Sequence, residues 1–258
     1  MSSLVLIARE GAVTTATLNR PEKRNALNVA LLQQLCAAVA AAESDRSQRI
    51  LVLRGAGPVF CSGLDLLEAA EPAVADASAE LIGEALRVLS TTRLVSIAAV
   101  QGAAIAGGAG LMTACDFAVA TADATFGYPE IRRGIVPALI MTFLRRQVRE
   151  RDAREFLLLG KLFDAGRALD AGLLNRIAAD AAGLETEVRS LISSILPGAP
   201  QAAESTKKLL AELWPVPVIT ELERAHAQHL AARNSAEARE GIAAFNEKRP
   251  TKWAKDVA

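Results

Sequence analysis

Apolar and polar positions in the first part of the chain switch from a strand-like to a helix-like pattern. Residues 4–10 (LVLIARE) and 13–19 (VTTATLN) are rich in β-branched side chains and are separated by Gly11, which predicts an antiparallel hairpin. In residues 28–45 (NVALLQQLCAAVAAAESD) the apolar positions follow helical spacing, and Asn28 is suited to cap the helix. The chain is therefore expected to open with a hairpin that leads into an amphipathic helix.

Strands and helices go on alternating until the chain becomes mostly helical. Short apolar runs predict strands at 49–55, 94–100, 116–122 and 173–178. Helical spacing predicts helices at 76–92, 110–115, 138–159, 165–171, 182–195, 201–213 and 219–247. Glycine and proline predict loops at 57–66 and 124–139, the second with room for a short strand. The pattern indicates an α/β core, residues 1–196, and a helical region, residues 197–258, with LPGAP (196–200) as the candidate boundary.

One uncharged stretch, Leu94 to Cys115, has the length of a membrane span. It is rich in Ala and Gly, which contribute little insertion energy, so a buried strand, a tight turn and a buried helix are predicted instead. The N-terminus (MSSLVLIAREG) lacks a basic segment and reaches an acid at Glu10, unlike a secretion signal. The three cysteines have no CxxC spacing, so reduced thiols and a cytoplasmic location are expected.

Composition narrows the classes of partner. The 258 residues are 51% hydrophobic and 22% charged, as in soluble globular proteins, and the formal net charge is zero. A zero net charge argues against a broad electrostatic surface for nucleic acid. Any contact with phosphate is therefore expected to come from a few placed cations.

Two glycine-rich segments are candidates for ligand binding. Residues 102–111 (GAAIAGGAGL) follow a predicted strand and open a helix, whose first N–H groups have no partner within the helix. Residues 60–66 (FCSGLDL) form a second glycine turn. If the two turns converge, they supply two N–H donors to one oxygen, which is an oxyanion hole. Taken separately, each segment also fits a structural role: close helix–strand packing for the first, and an ordinary loop capped by Asp65 for the second.

Two further groups carry titratable side chains. Glu130 lies in FGYPEI beside apolar residues, where desolvation raises a carboxyl pKa toward values useful for an acid or base, although a surface position is the alternative. His226 and His229 are one helical turn apart. No third ligand is evident, so a solvated helix face is predicted for them and no metal site.

Four segments together resemble the crotonase superfamily, also called the enoyl-CoA hydratase/isomerase family. They are NRPEKRNALN, FCSGLDL, VQGAAIAGGAGLMTACDFAVATADATFGYPEI and EGIAAFNEKRP, in family order and spacing, and the resemblance covers nearly the whole chain. It implies an α/β fold, a crotonase-like spiral of ββα units with a helical C-terminal trimerisation region. It also implies acyl-CoA thioesters as substrates, homotrimers or hexamers of two trimers, and no cofactor apart from the coenzyme A of the substrate.

The resemblance also implies roles for individual residues. It assigns the oxyanion-hole N–H groups to Leu64 and Gly107 and one catalytic glutamate of the hydratases to Glu130. Gly110 stands where the hydratases have their second glutamate. Contacts with substrate and coenzyme A are implied for Ala26, Ser62, Leu64, Asp65, Leu66, Gly107, Gly110, Phe245 and Lys248.

The glycine at position 110 bears on the choice of reaction. Hydration of an enoyl thioester uses two carboxylates to hold and deprotonate one water, whereas one carboxylate suffices for a 1,3-proton shift. The sequence therefore favours double-bond isomerisation with Glu130 as acid and base. Two alternatives stay open: a hydratase in which Glu68, Glu71 or Tyr128 orders the water, and a catalytically inactive protein that binds CoA thioesters.

Overall fold

A computed structural model describes residues 3–212 and 218–251, and the helices and strands below are those of these ranges. The strands are β1 (Val5–Glu10), β2 (Val13–Leu18), β3 (Ile50–Gly55), β4 (Val95–Val100), β5 (Ala103–Ile105), β6 (Phe117–Thr121), β7 (Thr125–Gly127), β8 (Leu162–Asp164) and β9 (Arg176–Ala178). The helices are α1 (Val29–Ser44), α2 (Leu66–Ala69), α3 (Pro72–Thr91), α4 (Gly107–Thr113), α5 (Ala138–Gln147), α6 (Glu150–Leu159), α7 (Ala165–Ala171), α8 (Ala181–Ile195), α9 (Pro200–Glu212), α10 (Val218–Arg233) and α11 (Ala236–Asn246). Short 3-10 helices span Pro21–Lys23 and Pro129–Arg133.

A six-stranded sheet in the order β1-β2-β3-β4-β6-β9 forms the centre of the molecule. The predicted β1–β2 hairpin is confirmed as antiparallel, and the other neighbours pair in parallel. Both faces are covered, which explains the unbroken apolar run in β3. Leu51 and Leu53 face the larger core with α1 and α3, while Ile50 and Val52 face the smaller core under α8.

A second sheet, β5-β7-β8, carries the loops that form the candidate site. Its strands have three residues each, too few for an alternating pattern, and β5 and β8 were not predicted. The uncharged stretch Leu94 to Cys115 becomes β4, β5 and α4. Among the residues described, no helix has the length and apolar character needed to cross a bilayer.

Two long predicted helices are wrong as single elements, because each is two helices. Residues 138–159 form α5 and α6, with Val148 extended between them (φ −115°, ψ 160°). Residues 219–247 form α10 and α11, separated at Ser235, whose side chain caps α11 by accepting a hydrogen bond from the N–H of Ala238. The predicted boundary at residues 196–200 falls between α8 and α9, and its role as a domain boundary stays a prediction.

Candidate active site

Two glycine-containing loops pack backbone against backbone at one end of the second sheet. The N–H of Cys61 donates to the carbonyl of Ala103, and the N–H of Ile105 donates to the carbonyl of Cys61, both at 3.0 Å. Gly63 has φ +92°, and a Cβ there would lie 2.8 Å from the carbonyl oxygen of Ile105. A Cβ on Gly108 would collide with the carbonyl of Cys61. The glycines are needed because each loop lies directly against the other.

This packing brings together two N–H groups that have no hydrogen-bond acceptor in the described part of the chain. The hydrogen bonds beside Leu64 run from Leu27 N–H to Gly63 O (2.8 Å) and from Asp65 N–H to Leu27 O (2.9 Å), and they leave the Leu64 N–H without an acceptor among the residues described. Gly107 is the first residue of α4, so its N–H has no acceptor within the helix. A Cβ built on Gly107 would lie 3.8 Å from the Leu64 nitrogen. The two donors are thus close enough to share one oxyanion.

Backbone strain beside Gly107 fixes the direction of this donor. Ala106 precedes α4 with φ +51° and ψ −121°, a conformation that is unfavourable for an alanine. Its N–H donates to the carbonyl of Gly127 at the end of β7 (2.8 Å). Strained residues of this kind are concentrated at functional sites, where the surrounding structure holds them. The same hydrogen bond ties α4 to the segment that carries Glu130.

Glu130 is a buried carboxylate to which no described residue donates a hydrogen bond. It lies in the 3-10 helix Pro129–Arg133, lines the same pocket as Leu64 and Gly107, and is 7% exposed. Neither carboxyl oxygen makes a hydrogen bond among the residues described. Burial raises the pKa of Glu130 to about 7, against a smaller lowering by its own backbone and by Arg133. Such a group can both take up and release a proton near neutral pH.

This pKa gives an expected pH profile. Glu130 takes a proton only when ionised, so kcat/KM should rise with pH through a midpoint of about 7 and level off above it. The profile is measured with one substrate in a series of buffers of equal ionic strength. A flat profile, or a midpoint near 4.5, would show that an unperturbed or different group controls the reaction.

A pocket of about 700 Å³ surrounds these groups. Besides Leu64, Gly107 and Glu130, it is lined by five other residues predicted to contact the substrate: Ala26, Ser62, Asp65, Leu66 and Phe245. Asp65 forms an ion pair with Arg20 (3.1 Å) and caps α2. Phe245 lies 4.5 Å from the Arg133 guanidinium, which also lines the pocket. The structure thus brings most of the predicted site together.

Gly110 does not line the pocket. It is buried in α4, and a Cβ on it would lie 3.0 Å from Cγ1 of Ile140 and 3.5 Å from Leu86. Ile140, from α5, lines the pocket at this place. The space beside position 110 is therefore occupied by an aliphatic side chain, and the predicted substrate contact at Gly110 is not seen.

Lys248 also lies outside the pocket lining. It is exposed, with φ +54°, while Asn246, Arg249 and Thr251 from the same segment line the pocket. Arg249 is paired with Glu240 (2.7 Å). Arg249 therefore supplies a lining cation at this end of the pocket within one chain.

The three candidates for a second water-holding group are placed elsewhere. Glu68 accepts a hydrogen bond from the N–H of Val29 (2.9 Å) at the start of α1. Glu71 precedes α3 and is exposed. Tyr128 is fully buried, and its ring is tilted against that of Phe163 with 6.3 Å between the ring centres. None of the three lines the pocket.

Two other lining residues were missed by the sequence analysis. His229 and Arg233, on α10, are 9% and 5% exposed, so the prediction of a solvated face is wrong for His229. The spacing of these residues along α10 could have revealed that they are buried. Leu222, His229 and Arg233 are seven and four residues apart and share one face of α10, so two polar residues occupy its buried side.

Comparisons with known proteins by sequence and by structure point to the same family. The sequence model of a family described as enoyl-CoA hydratase/isomerase matches residues 8–256. A crystal structure of an enoyl-CoA hydratase from Mycobacterium avium superposes with a TM-score of 0.86 at 36% identity, covering 98% of this chain and 100% of that one. The 2,3-dehydroadipyl-CoA hydratase of Escherichia coli is 34% identical over 96% of this chain and 97% of its own. An enoyl-CoA isomerase/hydratase of Mycosarcoma maydis is 30% identical over 90% and 89%.

Proposed function

Since this chain belongs to the enoyl-CoA hydratase/isomerase family, whose enzymes act on acyl-CoA thioesters, we propose that it moves a double bond from position 3 to position 2 of an enoyl-CoA. The crotonase-like α/β fold with a helical C-terminal region is confirmed by the structural matches. No separate cofactor takes part in the proposed reaction, because coenzyme A is carried by the substrate. The proposal concerns which of the family's reactions this site performs.

In the proposed mechanism, the thioester oxygen accepts hydrogen bonds from the N–H groups of Leu64 and Gly107. These donors stabilise the negative charge that forms on this oxygen when Glu130 removes a proton from C2. The electron pair delocalises into a dienolate over C1 to C4. Glu130 then returns the proton to C4, and the double bond lies between C2 and C3. One carboxyl group with a pKa of about 7 serves for both steps.

The observation that supports this proposal is that few acidic side chains line the described pocket, and that one of them is already paired. In the described part of the chain, the acids that line it are Asp65 and Glu130. Asp65 is held by Arg20 at 3.1 Å, which leaves Glu130 as the available carboxylate. Ile140 covers the position from which a second carboxylate would act in the hydratases. An aliphatic wall at that place favours proton transfer between carbons over activation of water.

Hydration of a 2-enoyl-CoA is the second candidate, and the names of the relatives favour it. The Escherichia coli relative is named a hydratase, and the Mycosarcoma maydis relative is named for both activities. Wild type should isomerise 3-enoyl-CoA faster than it hydrates 2-enoyl-CoA. The two rates are compared at equal acyl length by absorbance and product mass. A wild type that is already the more efficient hydratase would reverse this choice.

A designed carboxylate at position 110 tests the reason for the preference. The double variant Gly110→Glu with Ile140→Ala should raise hydration relative to isomerisation by at least about ten-fold, since a placed acid–base group contributes roughly 10²–10⁴-fold. Ile140 is shortened because its side chain lies 3.0 Å from the Cβ position of residue 110. The control is Gly110→Ala with Ile140→Ala, which opens the same space without a carboxylate. Equal ratios in the two variants would contradict the proposed role of position 110.

The proposal includes assembly into homotrimers or hexamers, as the family resemblance implies. Helix α9 has no buried residue, and Leu209 and Leu210 are 51% and 63% exposed in the single chain. Exposed leucines on one helix support a contact with another copy. In such an assembly, Lys248 of one chain is available to the coenzyme A of its neighbour.

A further inference from the structure

Helix α10 places two polar side chains in a pocket that α3 and α5 line with aliphatic residues. His229 and Arg233 are one helical turn apart and are almost fully buried. The helix packs against α3 and α5, which contribute Ile82, Leu139 and Ile140 to the lining. A guanidinium and an imidazole are therefore found among aliphatic side chains, where an acyl group would extend from the Leu64–Gly107 donors.

Arg233 forms no ion pair with an acidic side chain within residues 3–212 and 218–251. Its Nη2 donates to the carbonyl of Ala69 (2.9 Å), and its Nε makes no hydrogen bond among the residues described. The charge of Asp76 acts on it, but Asp76 is exposed and forms no ion pair with Arg233 in the described part of the chain. Arg20 differs in this respect, since it is also largely buried but meets Asp65 at 3.1 Å. A buried guanidinium without a carboxylate is unfavourable in the empty pocket and favours a bound anion.

His229 adds a neutral donor beside this charge. Burial, with Arg233 nearby, lowers its pKa to about 4, so it is uncharged at pH 7 and carries one N–H. It lies near the backbone of Val136, but neither ring nitrogen makes a hydrogen bond of normal geometry among the residues described. One positive charge and one neutral donor match a singly charged anion with two oxygens.

The phosphates of coenzyme A have other cations available. Lys23, Arg24 and Arg249 line the same pocket and are exposed to solvent. Polyphosphates are strongly hydrated and are expected at that exposed rim, whereas His229 and Arg233 are enclosed by α3 and α5. The buried pair is therefore available to the acyl end of the substrate.

We propose that Arg233 and His229 bind a free carboxylate at the far end of the acyl group, so that the preferred substrates are CoA monothioesters of dicarboxylic acids. The proposal builds on the proposed function, since it assigns the acyl class to the same pocket. A guanidinium presents parallel N–H groups that match a carboxylate. A methyl terminus at this position offers no acceptor to either buried group, which makes the site discriminate against it.

The test measures binding of saturated acyl-CoAs, which have no double bond to move and so report independently of the reaction. Pairs of equal chain length, one ending in methyl and one in carboxylate, are titrated by calorimetry over a series of lengths. At the length that reaches Arg233, wild type should bind the carboxylate form roughly ten- to a hundred-fold more tightly. Arg233→Met, which keeps the volume and removes the charge, should abolish this preference while methyl-terminated ligands bind as well or better.

The matched control is Arg224→Met, an exposed arginine on the same helix, which should keep the full preference. If Arg233→Met does not fold, Arg233→Lys is used, which keeps the charge but loses the parallel N–H groups of the guanidinium. It should show a reduced but measurable preference for the carboxylate-terminated ligand. The proposal is overturned if wild type shows no preference at any length, or if Arg233→Met retains it. Equal loss in Arg224→Met would also overturn it, because the effect would then come from the helix. Absence of isomerisation, with the preference intact, would instead refute only the proposed reaction.

Discussion

Replacing Glu130 with glutamine is expected to reduce double-bond isomerisation by about 10²–10⁴-fold, the usual contribution of a general acid–base group. Glutamine keeps the shape of the side chain but cannot accept and return a proton. The other acid that lines the described pocket, Asp65, is paired with Arg20 and cannot take over. The measurement is kcat/KM with a 3-enoyl-CoA, together with calorimetric binding of a saturated acyl-CoA, which should change little.

Two controls separate lost chemistry from lost structure. Glu223→Gln, an exposed glutamate on α10, should leave the rate unchanged. The folded pKa of Glu130 is raised from 4.5 to about 7, so the folded state holds its proton where the unfolded state has lost it. The free energy of unfolding of wild type therefore decreases as the pH rises from 4.5 to about 7. Glu130→Gln should gain thermal stability relative to wild type over the same range. Near-normal turnover by a folded Glu130→Gln protein would remove Glu130 from the mechanism.

Leu64→Pro is expected to lower the rate by roughly a hundred- to a thousand-fold, because proline removes the N–H that is proposed to bind the thioester oxygen. The Leu64 N–H makes no other hydrogen bond in the described structure, so its loss leaves the pairing of Leu27 with Gly63 and Asp65 unchanged. The effect should fall on kcat more than on binding of a saturated acyl-CoA, since the donor stabilises charge that develops during the reaction. Single-turnover kinetics with a 3-enoyl-CoA measures it.

The matched control at the same position is Leu64→Ala. It shortens the side chain but keeps the backbone donor, so it should retain most of the activity. Circular dichroism and thermal unfolding of both variants check that the loop after β3 is not disrupted. If Leu64→Pro and Leu64→Ala lose activity equally, the side chain and not the N–H is responsible.

The regular elements could be predicted where the apolar pattern is long enough to show a period. The hairpin, α1 and the parallel strands β3, β4 and β6 were found in this way, because their buried faces follow from the sequence alone. The three-residue strands β5 and β8 are defined by neighbours distant in sequence, such as the bridge between Cys61 and Ala104. Their pairing depends on tertiary contacts, so local patterns do not reveal them.

The parts of the site that lie within recognisable sequence motifs could be predicted. The convergence of Leu64 with Gly107 and the burial of Glu130 were expected from the motif resemblance, and the geometry brings them into one pocket. The covering of Gly110 by Ile140 could not be predicted, because it depends on how α5 packs against α4. His229 and Arg233 were missed for a related reason. A polar residue on an amphipathic helix is assigned to the solvated face unless the neighbouring helices are known.

The sequence separation of the pocket segments has a consequence for folding. More than half of the chain lies between Leu64 and Arg233, although both line one pocket. The hairpin β1–β2 is a local contact and forms early, whereas the parallel strands and α10 require closure of long loops. A chain still emerging from the ribosome therefore has its N-terminal strands before it has a complete pocket. A ligand that requires the complete pocket therefore adds stability only after α10 has docked and gives no help before that stage.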